Sequence, residues 1–234
     1  MEPERRDRAE RDRQGLARRL RGLNLYLVGM MGAGKSSVGR PLAEALGYRF
    51  LDADAVLEQV TGRSIAEIFA ADGEEGFRAL EAAVLNQLAS WHSLVVATGG
   101  GVVGRPENWG HLRQGVVIWL DAPEALLLKR LRGDPTPRPL LADADPAARL
   151  AALLAARRPL YALADLTIQQ GEESAREVAA RVLEELPKIL LDPQPPPAAP
   201  AALVDGEGRR HPDLNAPAPP GGPGAPGAPQ TTEP

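Results

Sequence analysis

GMMGAGKS, residues 29–36, is the most informative stretch of this sequence. It fits the pattern GxxxxGK[ST], follows a short apolar run at residues 23–28 and opens a stretch with helical spacing. Glycines allow backbone N–H groups to turn toward phosphate oxygens, and the N-terminus of a helix adds positive potential. The stretch therefore predicts a phosphate-binding loop between a strand and a helix, which is the context that the pattern requires.

The residue types in this loop point to a nucleoside triphosphate. Lys35 is predicted to reach the β- and γ-phosphates, and the hydroxyl of Ser36 is predicted to ligate Mg²⁺. The sequence has no Asn-Lys-x-Asp motif for reading guanine, which disfavours a GTPase. The apolar run at residues 95–98 ends without the aspartate that many ATPases use for the metal, so another carboxylate must support it.

On both sides of the loop, apolar runs alternate with segments of helical spacing. Strands are predicted at residues 23–28, 50–52, 93–97, 116–120 and 166–168. A helix is predicted after the loop, with Val38, Leu42, Ala45 and Leu46 on one face, and further helices at residues 65–69, 77–88, 123–131, 146–163 and 174–186. This alternation predicts an α/β fold, with a parallel sheet between helices and ligands beyond the carboxyl ends of its strands.

Two aspartates lie at the end of the second predicted strand. Asp52 and Asp54 are two residues apart, so strand periodicity would place both side chains on one face, toward the phosphate loop. One could then support the hydration shell of Mg²⁺ while the other meets an acceptor hydroxyl. The alternative is that they cap a helix predicted from Ala55, because aspartate is favoured at N-caps. These residues alone leave both interpretations open.

The two ends of the chain differ in composition from its middle. The chain has 234 residues, of which 44% are apolar, enough for one domain with a sizeable core. In residues 1–22 arginines alternate with acidic residues, which predicts a solvated, partly helical extension; an arm that binds nucleic acid or a partner is the alternative. Residues 191–234 are rich in Pro, Ala and Gly and are predicted to be disordered. The folded domain is thus predicted at residues 23–190.

Charge and hydropathy exclude several classes of protein. Lys and Arg number 27 and Asp and Glu 31, a net charge of −4, so no overall attraction for nucleic acid or anionic membrane is expected. No apolar run approaches the ~18 residues of a membrane span. The Arg-rich start contains acidic residues and no apolar segment, which argues against a targeting peptide and makes the cytoplasm the default expectation. The absence of cysteine excludes disulfides and thiolate metal sites.

The middle of the chain resembles the shikimate kinase family. The matching segments are GMMGAGKSSVGR (29–40), FLDAD (50–54), GRSIAEIFAADGEEGFRALE (62–81), ATGGG (97–101), RPLL (138–141) and RRPLYALAD (157–165). They occur in the family's order over about residues 24–186, a combination far more specific than the phosphate loop alone. The resemblance implies a three-layer P-loop kinase fold, with a central parallel sheet flanked by helices and a mobile lid.

The resemblance implies the residues that bind ATP and its metal. The residues that would cradle ATP are Gly32, Ala33, Gly34, Lys35, Ser36 and Ser37. Ser36 would ligate Mg²⁺, with Asp52 contacting the metal through water, and Arg138 in the lid would reach the phosphates. Either Arg130 or Arg132 would pack against adenine, and the spacing does not decide between them. Ser37 stands where the family usually has threonine, which keeps the hydroxyl.

The resemblance also implies the residues of the acceptor site. Asp54 would hold the acceptor hydroxyls, and Arg78 and Arg157 would bind the carboxylate of shikimate. Gly100 and Gly101 would approach the ring through their backbone. Successive glycines at the end of a strand permit such an approach because they have no Cβ, although a plain loop could also contain them. Among all these residues Lys35, Asp54 and Arg138 would be catalytic.

The chemistry of arginine supports the acceptor assignment. A carboxylate calls for a guanidinium group, whose planar fork matches two oxygens. Arg78 lies on a predicted helix with Glu81 one turn on as an orienting partner; without the other motifs, an ordinary surface arginine is the alternative. Arg157 and Arg158 are adjacent, so only one can face the site, and the family's spacing before Pro159 selects Arg157.

The activity implied is transfer of the γ-phosphoryl group of ATP to the 3-hydroxyl of shikimate, within aromatic amino-acid and chorismate biosynthesis, by an enzyme expected to be a monomer. A related kinase acting on gluconate or a nucleoside monophosphate is one alternative, and two acceptor arginines disfavour gluconate. A nucleotide-binding protein without catalytic activity is the other. The presence of Asp54, Arg78 and Arg157 argues against it.

Overall fold

A five-stranded parallel sheet, covered by helices, forms the body of the fold. A computed structural model of the chain describes residues 15–134 and 145–190, which all fall in one structural unit, residues 1–193. The strands are β1 (Leu25–Val28), β2 (Arg49–Asp52), β3 (Leu94–Ala97), β4 (Val116–Asp121) and β5 (Leu166–Gln169). The helices are α1 (15–20), α2 (Lys35–Leu46), α3 (Ala53–Thr61), α4 (Ile65–Ala89), α5 (Pro106–Leu112), α6 (Glu124–Arg132), α7 (Pro146–Tyr161) and α8 (Ala175–Ile189), with a 3₁₀ turn at Val102–Gly104.

Strand β1 lies at the centre of the sheet. The strand order is β2-β3-β1-β4-β5 and every pair is parallel, with Leu27 opposite Ala97 of β3 on one side and Ile118 of β4 on the other. The strands β1, β3 and β4 are buried along their whole length, as expected of parallel strands covered on both faces. The chain therefore leaves β1 between the carboxyl ends of two neighbours, the place where open α/β sheets bind ligands.

Alternate residues of the strands enter two separate cores, one on each face of the sheet. Leu25 and Leu27 of β1 belong to the core that includes buried side chains of α1, α2, α6, α7 and α8. Tyr26 and Val28 belong to the other core, with side chains of α3, α4 and α5. This follows from the two-residue period of a strand. The result is the three-layer α/β architecture expected from the sequence, which is confirmed.

Helix α4 joins two helical segments that the sequence predicts separately, residues 65–69 and 77–88. It begins with a capping box, in which Ser64 Oγ accepts from the N–H of Glu67 at 3.3 Å and the carboxylate of Glu67 accepts from the N–H of Ser64 at 2.7 Å. Gly73 has φ 71° and ψ −174°, a non-helical conformation that residues with a Cβ rarely adopt, so the helix is kinked there. The kink separates a mostly exposed first half, in which Ile68 is buried, from a second half packed on the sheet.

Helix α1 packs on the core although charged residues dominate its surroundings in the sequence. Leu16 and Leu20 are buried in the core on the α2 and α8 face. They are four residues apart and so lie on one side of a helix. Arg19 donates from Nη2 to the carbonyl oxygen of Leu190 at 2.8 Å, which ties α1 to the end of α8. Two leucines are too short a pattern to stand out among the charges of residues 1–22.

The helices differ from the predicted pattern in two further places. On α2 the buried face contains Ala43, whereas the predicted Ala45 is only half-buried. Helix α5 is absent from the prediction because it has only seven residues; Pro106 starts it, and Trp109 and Leu112 are buried. Within the described ranges, no helix combines the length and the apolar character needed to cross a membrane.

We expect Gly39→Ala to destabilise the fold. A Cβ at this position of α2 would lie 2.6 Å from Cε2 of Phe50 and 3.1 Å from Cδ1 of Leu27, so the ring of Phe50 or the helix itself would have to move. Overpacking of this kind typically costs about 1–3 kcal/mol. The urea concentration at the unfolding midpoint should therefore fall, and the Tm should fall by several degrees.

Gly110→Ala in α5 is the matched control. A Cβ at Gly110 meets nothing within 4 Å, and alanine is the better helix former, so the free energy of unfolding should stay unchanged or rise slightly. Equal stability of the Gly39→Ala variant and the parent chain would contradict the proposed close packing of α2.

Candidate active site

Residues 29–34 form a loop that joins β1 to α2 at the carboxyl edge of the sheet. Gly34 is the N-cap of α2 and has φ 80°, a left-handed conformation that suits glycine, and Lys35 is the first helical residue. The first turn of α2 therefore presents N–H groups and positive potential beside the loop. The ammonium group of Lys35 donates to the carbonyl oxygens of Gly29 at 2.9 Å and Met30 at 3.1 Å, so it lies against the loop itself.

Asp52 links the second strand to the start of α2. Its Oδ2 accepts a hydrogen bond from the hydroxyl of Ser36 at 2.5 Å, across 16 residues of sequence. Its Oδ1 accepts from the N–H groups of Asp54 at 3.1 Å and Ala55 at 3.4 Å, and Asp52 is thereby the N-cap of α3. The two interpretations of Asp52 drawn from the sequence are thus compatible, because one carboxylate oxygen caps the helix and the other meets Ser36.

Asp54 does not lie on a strand, so the argument from strand periodicity is wrong for it. Strand β2 ends at Asp52, and Asp54 is in the first turn of α3. It nevertheless lines the same cavity as Asp52. It also lies close to the glycine run that follows β3, Gly99 to Gly101, since a Cβ built on Gly99 would be 3.2 Å from Asp54 Oδ1. The first turn of α3 therefore places Asp54 in the same cavity as Asp52, as expected, although by a different local conformation.

The oxygen donors at this edge suit a magnesium ion that is bound mainly by phosphate and water. Ser36 supplies a hydroxyl and Asp52 a carboxylate, in contact with each other. Among the described residues there is no group of three or more His, Asp or Glu side chains that could hold a metal by itself. Mg²⁺ commonly binds through one or two carboxylates with several waters and the phosphates of a substrate. The donor set therefore fits the metal that the sequence implies.

A buried ion pair on α4 forms another part of the cavity wall. Arg78 and Glu81 are 8% and 3% exposed, and Nη1 of Arg78 donates to Oε2 of Glu81 at 2.8 Å. Glu74 accepts a second hydrogen bond from Arg78 at 3.2 Å. The contact expected from the three-residue spacing of Arg78 and Glu81 is therefore present, and the alternative of an ordinary surface arginine is wrong.

Electrostatics connect this pair to the phosphate loop. Burial raises the pKa of Glu81, and the nearby charges of Arg78, Arg157 and Lys35 oppose that rise. Burial disfavours the charge of Arg78, but the carboxylates of Glu81 and Glu74 outweigh it and raise the pKa of Arg78. Oε1 of Glu81 has no hydrogen-bond partner within the described part of the chain. Three cations from three different elements thus act on one buried carboxylate.

The glycine run after β3 makes room for the ion pair. A Cβ on Gly99 would overlap Oε1 of Glu81, and a Cβ on Gly101 would overlap the guanidinium group of Arg78. The sequence suggests only that these glycines let a ligand approach closely. The structure adds a second reason for them, because both partners of the ion pair occupy the space that a side chain would need.

Helix α7 places one of its two adjacent arginines in the cavity. Arg157 lines the cavity and donates from Nη1 to the carbonyl oxygen of Gly100 at 3.2 Å. Arg158 points elsewhere and donates to Oδ2 of the buried Asp121 at 2.6 Å. This agrees with the selection of Arg157 from the sequence. Tyr161, one turn further along α7, also contacts Gly100 and is not among the predicted site residues.

At the other end of the cavity Arg130 and Gln170 hold the phosphate loop. Nη1 of Arg130 donates to the carbonyl oxygen of Gly32 at 3.3 Å and to Oε1 of Gln170 at 3.1 Å. The amide of Gln170 donates to the carbonyl oxygen of Ala33 at 2.9 Å. Arg130 lines the cavity, whereas Arg132 does not line it within the described residues. Sequence reasoning missed Gln170, since it belongs to no motif and its role depends on β5 ending beside this loop.

These features surround a single cavity of about 860 Å³, a volume within the usual range of small-molecule sites. The predicted residues that line it are Gly32, Gly34, Lys35, Ser36, Ser37, Asp52, Asp54, Arg78, Gly100, Gly101 and Arg157. Ala33 is fully buried and turns its backbone toward Gln170 instead. Arg138, predicted to lie in a lid, is outside the described residues.

Comparison with known proteins gives the family. A family model described as "Shikimate kinase" matches residues 31–187. The chain is 62% identical over 183 residues to the shikimate kinase of Synechococcus sp. (strain RCC307), covering 78% of the chain and 94% of that protein. It is 61% identical over 178 residues to the shikimate kinase of Parasynechococcus marenigrum (strain WH8102), covering 76% of the chain and 93% of that protein.

Solved structures agree with the sequence relatives. The fold matches the shikimate kinase from Acinetobacter baumannii in complex with shikimate with a TM-score of 0.71 and 43% identity, over 74% of this chain and 97% of that one. It matches the shikimate kinase from Aquifex aeolicus with a TM-score of 0.61 and 32% identity, over 71% and 97% of the two chains. Because the matched segment contains the described residues of the cavity, fold and site point the same way, and the chain belongs to the shikimate kinase family.

Proposed function

We propose that this chain is an ATP-dependent kinase that phosphorylates the 3-hydroxyl of shikimate, giving shikimate 3-phosphate and ADP. The observation that carries the proposal is that one cavity is lined both by a phosphate loop and by two arginines suited to a carboxylate, Arg78 and Arg157. The relative from Acinetobacter baumannii, whose structure contains shikimate, supports the choice of acceptor. A cytoplasmic monomer is part of the same proposal, with a kinase domain at residues 23–190 against which α1 packs as an N-terminal extension.

The donor end of the cavity would bind ATP through the loop between β1 and α2. Residues 32–37 would surround the phosphates, where the start of α2 supplies N–H groups and Lys35 supplies positive charge. Ser36 would ligate Mg²⁺ and Asp52 would contact it through water, and the metal would neutralise charge on the β- and γ-phosphates. Arg130 would pack against adenine, because it lies on the cavity side of α6.

The acceptor end would bind shikimate through its carboxylate. Arg78 is held by Glu81 before any ligand arrives, so little side-chain freedom remains to be lost on binding. Arg157 would contact the same carboxylate from α7, and the backbone of Gly100 and Gly101 would approach the ring. Two guanidinium groups from separate helices fix both the position and the orientation of a small acid.

Asp54 would receive the proton of the reacting hydroxyl. In the proposed step, the 3-oxygen of shikimate forms a bond to the γ-phosphorus while the bond from that phosphorus to the β,γ-bridging oxygen breaks, and ADP leaves. The proton of the hydroxyl passes to the carboxylate of Asp54, which lies beside the glycine run. Lys35 would stabilise charge on the transferring group, together with Arg138, which is assigned on the family resemblance alone.

We expect ADP release to depend on shikimate. A coupled assay of the full chain with ATP and Mg²⁺ should show little ADP release alone and a large, saturable increase when shikimate is added. Gluconate and a nucleoside monophosphate, tested in the same assay, should give no comparable increase. Release that is unchanged by shikimate would contradict the proposed function, and stimulation by gluconate instead would reassign the acceptor.

We expect Asp54→Asn to abolish most turnover and to leave ATP binding intact. The amide keeps the shape of the side chain but cannot accept the proton, and loss of a general base commonly lowers kcat by at least about a hundredfold. Binding of ATP, measured by calorimetry, should change little because the phosphates are held by the loop before α2. Asp72→Asn, at an exposed ion pair with Arg63, is the control and should keep normal kcat. Normal kcat in Asp54→Asn would remove this residue from the mechanism.

The adjacent arginines of α7 allow a paired test of the acceptor site. Arg157→Lys should raise the KM for shikimate roughly tenfold, because a lysine cannot reproduce a planar fork and hydrogen bonds to charged groups are worth about 1.5–3 kcal/mol. Arg158→Lys keeps a charge beside Asp121 and should change this KM by less than about threefold. Equal effects of the two substitutions would show that Arg157 has no special contact with the acceptor.

A further inference from the structure

Tyr161 is a buried residue of α7 that contacts the glycine run. Its side chain is fully buried, and its hydroxyl donates to the carbonyl oxygen of Gly100 at 2.5 Å. Arg157 donates to the same oxygen at 3.2 Å. One backbone carbonyl therefore accepts two side-chain hydrogen bonds, both from residues of the last part of α7.

The hydrogen bond to this carbonyl also fixes the next N–H group. The carbonyl of Gly100 and the N–H of Gly101 belong to one planar trans peptide, so they point in opposite directions. Within the described residues the N–H of Gly101 donates to no other backbone group. Neither glycine has a side chain that could anchor the peptide. The flanking carbonyls of Gly99 and Gly101 accept from the N–H groups of Val102 and Gly104, and the hydroxyl of Tyr161, with Arg157, adds the constraint on the peptide between them.

The ring of Tyr161 is held firmly enough to act as such a constraint. It stacks on Trp119 of β4, with ring centroids 5.8 Å apart and an angle of 25° between the planes. Its hydroxyl lies 3.9 Å from Sδ of Met30 in the phosphate loop. Burial raises the pKa of Tyr161 to about 12, so the hydroxyl keeps its proton and remains a donor at physiological pH. The position of the ring, and with it that of the hydroxyl, is therefore set mainly by the sheet.

We propose that Tyr161 is a positioning residue for the acceptor, whose hydroxyl orients the Gly100–Gly101 peptide and the neighbouring Arg157 and thereby sets the affinity for shikimate. This inference rests on the proposed function, because the acceptor is taken to be shikimate. Tyr161 does not line the cavity formed by the described residues, so the residue itself would touch no substrate. Its effect passes through the backbone of the glycine run and through one guanidinium group.

The test is Tyr161→Phe, which removes the hydroxyl and keeps the ring that stacks on Trp119. The KM for shikimate should rise about two- to tenfold, the range expected for one lost buried hydrogen bond. The dissociation constant of shikimate, measured by calorimetry without nucleotide, should rise by a similar factor. The KM for ATP should stay within about twofold, since the contact with Met30 is only a weak one to sulfur.

Tyr26→Phe is the matched control. Tyr26 is also fully buried, but its hydroxyl accepts from Nδ2 of Asn24 at 3.4 Å and, within the described residues, makes no hydrogen bond to a residue that lines the cavity. Both variants lose a buried hydroxyl, so both should show a small decrease in Tm. Only Tyr161→Phe should change the KM and the dissociation constant for shikimate.

The outcomes separate this inference from the function on which it rests. Normal affinity for shikimate in Tyr161→Phe, or an equal loss in Tyr26→Phe, would overturn the positioning role while the parent chain still turned over shikimate. If the parent chain neither bound nor phosphorylated shikimate, the proposed function would fail first and the inference with it. A selective loss of shikimate affinity in Tyr161→Phe, with normal kinetics for ATP, would support it.

Discussion

The position of β1 between β3 and β4 is the constraint on which the site depends. Because the sheet is parallel, the carboxyl ends of β2, β3 and β1 lie side by side, and the register pairs Asp52 with Ala97 and Ala97 with Leu27. The phosphate loop, the glycine run and the first aspartate therefore meet at one edge although they are far apart in sequence. Hydrogen bonds across the edge then fix them, from Ser36 to Asp52 and from Thr98 Oγ1 to the carbonyl oxygen of Leu27 at 2.9 Å.

The buried pair of Arg78 and Glu81 adds a cationic group to the cavity at a distance from the phosphate loop, where the acceptor is proposed to bind. Taking two charges out of water is costly, and a buried pair of this kind is weak evidence of stability, because apolar residues would often do as well. Its value lies in the guanidinium group, which Glu81 holds at one place in the cavity wall. A preorganised arginine loses less freedom when it meets a carboxylate. The burial of this pair is consistent with the proposed role of Arg78 in binding a carboxylate.

Much of this could be predicted from the sequence, and the failures have physical causes. The strands were found because parallel strands buried on both faces appear as continuous apolar runs, and the loop after β1 because its glycines and Lys35 form a specific pattern. The seven residues of α5 are too few for a helical period to show. The argument for Asp54 was wrong because it carried the alternation of a strand past Asp52, where β2 ends and which caps α3.

The residues that sequence reasoning missed share one property, which is that they act on backbone groups. Gln170 donates to the carbonyl oxygen of Ala33, and Tyr161 donates to that of Gly100. A carbonyl oxygen is present at every position, so no pattern of side chains marks it as a partner. Such contacts become visible only when the topology brings the end of β5 or of α7 beside a particular loop. The position of a supporting residue is therefore a property of the fold, whereas the chemistry of a lysine or an arginine can be read from its type.

The position of the glycine run, Gly99 to Gly101, affects both ends of the cavity. Glu81 fills the space left at Gly99, Arg78 fills that left at Gly101, and Gly100 accepts from α7. Phosphoryl transfer requires the acceptor oxygen and the γ-phosphorus to be held at a fixed separation, since most of the acceleration comes from positioning. The groups proposed to bind the acceptor contact the glycine run, which is itself anchored to the central strand through Thr98. A displacement of β3 relative to β1 would therefore move the glycine run relative to the phosphate loop. The hydrogen bonds between these two strands, and the one from Thr98 to Leu27, oppose such a displacement.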